Sequence, residues 1–310
     1  MEYKFIRNSG LGFFSDTFNL LHAYMVCKRD NIPFYVNSEE WTFGHWADYF
    51  TSLTERNAHV VEKTATDCGE ADRQFRVIDY KNGIREVFTF QPYLLEKASE
   101  LISGDYVAIF IRRGDKLLGE SLYIPVEHYV QLALEKNPNI IFVQTDDYRA
   151  YLEIRDIVSK LSPDIQVITT CPPNKFGFFY STINLNSGRC CAYMIDNNLV
   201  SNTANLQYLA TVSPQKPLTE FTPEEISAHI EEMLVGIIIC QRAKFVVLDH
   251  MSNVSRFIAF SHPGGKEAIC AIEDMNIIFA ANVPLIPRYD YTDEKYIRNP
   301  RHHSIYNDYI

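Results

Sequence analysis

The sequence predicts an α/β protein built of two Rossmann-like domains that face a cleft. Two observations lead there. Val107 to Ile111 is an apolar, β-branched run without polar alternation, the pattern of a strand buried on both faces of a parallel sheet. Downstream of it helical and strand periods alternate: a helix from Pro125 to about Lys136, strand Ile140–Gln144, helix Tyr148–Leu161 and strand Ile165–Thr169. That order is the order of a doubly wound sheet. A chain of 310 residues is long enough for two such domains. The boundary is expected near residue 100. Residues 1–100 then form the N-terminal Rossmann-like domain, residues 101–283 the C-terminal one, and residues 284–310 a tail that packs back across the first.

The remaining elements follow in order. Residues 3–7 read as a short strand and Gly10-Leu11-Gly12 as a tight turn. From Ser15 to Arg29, Phe18, Leu21, Tyr24 and Met25 fall at helical spacing, and Ile32–Val36 is the next strand. The aromatic cluster Trp41 to Trp46 reads as core. Thr54 to Arg73 is polar and loop-like, Arg76–Tyr80 reads as a strand, and Gln91–Ile102 as a helix leading into Val107. The pattern breaks between Cys171 and Phe221, where Asn, Ser, Thr, Gly and Tyr are frequent and no period holds. Such long irregular segments inside domains serve as lids or binding loops. Phe176, Phe178, Phe179 and Tyr180 within it are candidates to stack on sugar faces. Thr222-Pro-Glu-Glu225 has the form of a capping box with proline at the first helical position, opening a helix to about Cys240. Phe245–Leu248 is again a buried strand, and a helix starts at Val254.

Composition narrows the partners. The formal charge of -10 and the lack of a long basic run argue against nucleic acid and against an anionic membrane surface. No apolar stretch approaches the ~18 residues of a membrane helix, and the N-terminus lacks the apolar core of a signal peptide. Seven cysteines without a Cys-x-x-Cys pair indicate reduced thiols. A cytoplasmic location is the expectation.

The chemistry is expected where the strand Val107–Ile111 ends in Arg112-Arg113-Gly114-Asp115-Lys116. Ligands of open α/β sheets sit outside the carboxyl ends of the strands. Three cations there call for an anionic partner, because a buried charge without one is costly. A diphosphate suits the forked guanidinium; an ion pair of either arginine with Asp115 is the plainer reading. Met251-Ser252-Asn253 precedes a helix whose N-terminus would favour a phosphate, or else Ser252 and Asn253 are an ordinary cap. Asp146-Asp147 could suggest a metal-binding pair, but no second acidic or histidine partner stands at short spacing, so no metal is expected.

These residues resemble a known family. Arg112-Arg113-Gly114-Asp115-Lys116, then Glu120, Tyr123, Pro125 and Tyr129, looks like the first motif of the α1,6-fucosyltransferases, which include core-fucosylating and Nod-factor enzymes. Thr145-Asp146-Asp147 is similar to the second motif and Met251 to Arg256 to the third. Gly10 to Gly12 and Trp41 to Phe50 resemble the family's N-terminal segments. The resemblance covers residues 8–52 and 95–260.

The resemblance implies a GT-B glycosyltransferase that inverts the anomeric centre, needs no metal or other cofactor, and moves a sugar from a nucleotide-diphosphate sugar, by family default GDP-fucose, to a hydroxyl of a glycan or glycoprotein. Arg112 would hold the β-phosphate, and Arg113 would order the loop and the leaving group. Glu120 would be the general base, with Lys116 nearby. Asp115, Ser252, Asn253, Gly10 and Gly12 would help form the donor site, with residues 101–283 as the donor-binding domain and residues 1–100 on the acceptor side. Three positions depart from the family pattern. Its leading His is Phe110 here, an Asp ahead of the third motif falls at Gly236, and a Gln of that motif is Asn253. The first two lie by the guanine base in the family, so a UDP-sugar such as UDP-xylose is the alternative donor. A non-catalytic nucleotide-sugar or glycan-binding protein is the alternative class.

Overall fold

The computed structural model describes residues 3–5, 12–39, 41–55, 75, 77–114, 117, 123–173, 175, 192–195, 198–201, 207–208, 211, 220–249, 252–272 and 288–289. The strands are β1 (Tyr3–Phe5), β2 (Phe34–Val36), β3 (Val107–Ile111), β4 (Ile140–Thr145), β5 (Gln166–Thr169), β6 (Ala192–Ile195), β7 (Asn198–Ser201), β8 (Phe245–Asp249), β9 (Ile269–Ile272) and β10 (Arg288–Tyr289). The helices are α1 (Phe13–Arg29), α2 (Trp46–Tyr49), α3 (Val77–Val87), α4 (Pro92–Leu101), α5 (Val126–Leu134), α6 (Tyr148–Leu161), α7 (Pro223–Arg242) and α8 (Asn253–Ser261).

The main sheet has the order β10-β9-β8-β3-β4-β5. Its strands run parallel except β10, which pairs antiparallel with β9. From β3 the chain winds one way through β4 and β5, then crosses to the other side for β8 and β9. The order therefore reverses at β3, and the crevice of an open α/β sheet lies beyond the carboxyl end of such a switch point.

Strand alternation divides the core in two. Ala108, Phe110, Phe142, Val246 and Leu248 face α7, α8 and the N-terminal helices. Val107, Ile109, Ile111, Val143 and Val247 face α5 and α6. All five residues of β3 are buried, as the absence of alternation predicts. The N-terminal half does not close a core of its own: Phe14 meets Phe257 of α8 at 5.1 Å between ring centroids, and Tyr80 stacks on Phe260 at 5.8 Å. Among the described residues its sheet is the parallel pair β1–β2.

The capping box is as expected. Thr222 accepts from the Glu225 N–H at 3.2 Å, and the Glu225 carboxylate accepts from the Thr222 N–H at 2.7 Å. Three elements differ from expectation. Val77–Tyr80, expected as part of a strand, opens the helix Val77–Val87, because Tyr80, Ile84 and Val87 fall at helical spacing and bury together against α1 and α8; Arg76 lies outside the described residues. The irregular stretch after Cys171 contains the antiparallel pair β6–β7. Ile269–Ile272 adds a parallel strand beside β8. The described part of the C-terminal tail, β10, lies on the edge of the main sheet. No described helix is long and apolar enough to cross a membrane. Cys27, Cys171, Cys240 and Cys270 are buried thiols outside any disulfide; Cys68, Cys190 and Cys191 lie outside the described residues.

Candidate functional site

Two adjacent arginines leave β3 in opposite directions, because successive strand side chains point to opposite faces. Arg112 follows the α7 face and Arg113 the α5–α6 face. Gly114 then takes a positive φ of 65°, which turns the chain sharply at no steric cost to a glycine.

Arg113 is 2% exposed. Its guanidinium lies between the rings of Tyr123 and Tyr208, at 4.6 and 5.1 Å from their centroids. It donates to the Tyr123 hydroxyl at 3.2 Å, and it reaches Glu153 at 3.4 Å and Asp147 at 3.7 Å. Burial pulls its pKa down, but Tyr123, Glu153, Tyr208 and Asp147 together raise it, so the charge is kept. Among the described residues its Nε and Nη1 have no hydrogen-bond acceptor. Asp147, fully buried, is the hub of this network. It caps α6 by accepting from the Arg149 N–H at 3.0 Å, and its two oxygens take the Arg149 guanidinium at 3.1 Å each. It also accepts from the Tyr208 hydroxyl, whose pKa burial and this carboxylate push up.

Arg112 pairs with Asp146, whose other oxygen accepts the Arg113 backbone N–H at 2.7 Å. Thus Asp146 and Asp147 serve arginines and a helix start. Among the described residues no three His, Cys, Asp or Glu side chains converge as a metal centre requires.

The facing side of α7 presents His229, Glu232 and Gly236, spaced three and four residues apart. Glu232 accepts from Lys175 at 2.6 Å in a pair whose side chains are 15% and 14% exposed. Burial raises the Glu232 pKa, against the pull of Lys175. Burial, then Lys175 and Arg112, hold the His229 imidazole well below its ordinary range, so it is neutral at pH 7. Burial likewise pushes the Cys171 thiol up to about 12, which leaves it no nucleophile at neutral pH. Gly236 is where the buried Gln144 enters: a Cβ there would stand 1.7 Å from Oε1 of Gln144, which accepts from Thr170 at 2.8 Å. Glu231, the neighbour of Glu232, turns outward to Lys97 of α4.

Ser252 caps α8 by accepting from the Val254 N–H at 3.1 Å, so the cap reading holds for it. Asn253 donates to Ser15 of α1 at 3.2 Å and accepts from Arg256 at 3.3 Å, tying the start of α8 to the start of α1. Gly12 precedes α1 in extended backbone. Phe110 is buried within β3, level with Gln144. Asp115, Lys116, Glu120 and Gly10 lie outside the described residues, as do Phe176, Phe178, Phe179 and Tyr180. The structure thus brings together Arg112, Arg113 and the Asp146-Asp147 pair, with Ser252 and Asn253 at the adjacent strand end beyond β8. Lys175, His229, Glu153 and Tyr208 were not singled out in the sequence: each lies far along the chain from the arginines, and no spacing links them.

No protein-family model matches the chain, and no curated protein matches it in sequence. Solved structures of similar course exist. A NodZ α1,6-fucosyltransferase crystal soaked with GDP-fucose aligns at 13% identity and TM-score 0.49, over 90% of this chain and 96% of that one. Two structures of POFUT1 in complex with GDP align at 9% and 11% identity with TM-scores of 0.35 and 0.34, over 63% and 80% of this chain and 49% and 66% of theirs. At such identity and TM-score, residue roles and substrates do not transfer by alignment.

Proposed function

We propose that the chain transfers a sugar from a nucleoside-diphosphate sugar to a hydroxyl of a glycan, with inversion and without a metal. One observation carries this reading: a guanidinium, Arg112, stands just past the strand at which the sheet order reverses, next to a second, Arg113, that Tyr123, Tyr208 and Glu153 brace in place. A cation fixed at the carboxyl end of the switch strand suits an anionic ligand in the crevice, and a diphosphate is one. In the reaction the acceptor hydroxyl gives its proton to Glu120 as its oxygen bonds to the anomeric carbon. The bond from that carbon to the diphosphate breaks, and the diphosphate leaves with the bonding pair. Arg112 and Lys116 meet the charge that develops, and Arg113 braces the end of β3 from which the chain leads on to Lys116 and Glu120. Fixed cations of this kind do a metal's electrostatic task, and a carboxylate in reach supplies the general base that a hydroxyl nucleophile needs.

The donor follows the family default, GDP-fucose. A UDP-sugar is the second reading, and Gly236 favours it: the space where the resemblance puts a carboxylate is filled by the Gln144 amide. An amide offers one donor and one acceptor edge, the complement of uracil N3–H and O4, whereas guanine N1–H and N2–H want two acceptors.

Thermal-shift titration with GDP and UDP tests the proposal. A ligand at 100 times its Kd adds about 2.7 kcal/mol. GDP stabilisation that Arg112→Ala abolishes is the expected result. Stabilisation by UDP alone moves the donor to a uridine sugar. Stabilisation by neither removes the transferase reading. Donor binding with full transfer activity in Glu120→Gln removes the assigned base.

A further inference from the structure

A second site lies in the N-terminal half, between the first turn of α1, the end of β2 and the two tryptophans. Asp16, Thr17, Asn37, Ser38, Trp41 and Trp46, with the apolar Leu20 and Val36, line a small, partly open cavity with room for about one water-sized group. Several of its polar groups are already engaged. Asp16 accepts from the Trp41 indole N–H at 3.3 Å, Ser38 accepts from the Trp46 backbone N–H at 2.9 Å, and Asn37 accepts from the Glu39 N–H at 2.9 Å. Two are not. The Thr17 hydroxyl and the Trp46 indole N–H have no hydrogen-bond partner among the described residues, on side chains that are both 1% exposed. A buried unpaired donor costs about 1–3 kcal/mol, so two around one cavity mark a missing partner.

The chemistry of the lining selects that partner. Indole N–H groups repel a cation, and the Asp16 carboxylate repels an anion. A neutral group that donates to one side and accepts from the other satisfies both, with Thr17 able to do either. A water or a single hydroxyl is such a group, and the half-buried ring of Trp41 in the lining offers a sugar an aromatic face that a water would not use. Ser15, the residue before Asp16, receives the Asn253 amide and so ties the helix that bears Asp16 and Thr17 to the start of α8. We propose that this cavity takes one hydroxyl of a neutral saccharide and holds the acceptor sugar beside the donor site. Its assignment to the acceptor rests on the transferase reading; the binding itself does not.

The chain has two tryptophans, so its ¹⁵N spectrum carries two indole N–H signals, assigned with Trp41→Phe. The probes are D-glucose, D-galactose and N-acetyl-D-glucosamine, each added without nucleotide. At least one is expected to shift the Trp46 signal saturably and more than that of Trp41. Thr17→Val, which keeps the shape and removes the hydroxyl, should weaken that sugar about fivefold, and Thr17→Ser should bind as the parent does. A Trp46 signal unmoved by all three sugars overturns the proposal and leaves a site for structural water. So does a Thr17→Val protein that folds and binds sugar as tightly as the parent. If Thr17→Val does not fold, Thr17→Ser decides: retained binding supports the hydroxyl contact and lost binding overturns it. Nucleotide stabilisation without any sugar shift sinks this site alone, while a sugar shift without nucleotide stabilisation sinks the donor reading alone.

Discussion

Two parts of the interior are held together by different physics. In the N-terminal half, Phe13, Trp41, Phe43, Trp46, Tyr49, Phe50 and Phe88 pack ring against ring, with Trp46 and Phe50 centroids 4.5 Å apart and Phe88 set edge-on to Phe257 at 5.0 Å. Burial of apolar area dominates there, with Asp16, Thr17, Asn37 and Ser38 the buried polar side chains beside the tryptophans. Beyond β3 and β4 the interior instead holds Arg112, Arg113, Arg149 and Lys175 against Asp146, Asp147, Glu232 and the half-exposed Glu153. Apolar residues of similar volume would hold such a place as well or better, since desolvating the ions offsets their attraction. Ion pairs gather at the switch point of the sheet, where the proposed reaction would use them, and aromatic rings gather in the N-terminal half.

The contrast breaks most clearly at its hub. Asp147→Ala strands Arg113 in the interior and should cost about 3–5 kcal/mol in urea unfolding. Phe257→Ala should cost a similar ~3–5 kcal/mol, but by leaving a cavity. The two separate on rescue: adding Arg113→Met to Asp147→Ala should recover part of the loss, the α6 cap and the Arg149 pair staying broken, and no single second change should do so for Phe257→Ala. Failure of that rescue would mean that the charged end is not a self-contained ion network.

Arg112→Ala should show the opposite balance. Its side chain is 16% exposed, and its buried partner Asp146 keeps the Arg113 N–H as a second donor, so the stability loss should be smaller than for Asp147→Ala. Turnover should fall about 10²–10³-fold, the scale for losing one group that stabilises developing charge. Gly236→Ala probes the border between the regions: its methyl meets the Gln144 amide, and the overpacking should cost about 1–3 kcal/mol, relieved in Gly236→Ala/Gln144→Ala.

pH should act on the charged end and spare the aromatic one. The folded pKa of His229 lies below its unfolded value, so over that interval the unfolded state binds more protons and stability rises with pH. The contribution is therefore whole above the unfolded value of about 6.5 and is lost as pH falls from there through the folded value. His262, lowered by burial, acts in the same direction, and Glu232, raised by burial, acts in the opposite one at lower pH. His229→Gln should flatten the slope of urea stability between about pH 6.5 and 5; an unchanged slope would remove His229 as its source.

Much of this was legible in the sequence, and for identifiable reasons. β3, β4, α6 and α7 stand out because each has an unbroken period or a cap, and the buried run of β3 leads straight to the arginines. Val77–Val87 misled because Val77, Ile78 and Tyr80 favour strands locally, while the burial of Ile84 and Val87 one and two turns on decides for a helix. Ile269–Ile272 is too short to announce itself and is a strand only because β8 lies beside it. At the site, the arginines, Asp146 and Asp147 could be read from order along the chain. The resemblance already assigns Arg112 to the phosphate and Arg113 to ordering the loop; which face of β3 each follows, and that Tyr208 and Glu153 from distant segments hold Arg113, could not be read. Gly236 read as a lost carboxylate; in the fold it is also the gap that admits Gln144.

The smallest effect separates cap from phosphate ligand at Ser252. As the N-cap of α8, its hydroxyl satisfies the Val254 N–H, and Ser252→Ala should cost about 0.5–2 kcal/mol. That loss alone is mute on function, because any capped helix would show it. Ser252→Asp is the informative variant. Aspartate caps as well as serine and suits the positive end of the helix dipole, so stability should match the parent or exceed it slightly. A carboxylate would, however, stand where the proposed diphosphate approaches, and like charges at that range repel. Retained urea stability with a rise of about tenfold or more in the Kd for GDP would place the phosphates at α8, since each tenfold is about 1.4 kcal/mol of lost attraction. Retained stability with unchanged Kd would confine Ser252 to its cap and leave Arg112 and its neighbours to hold the donor.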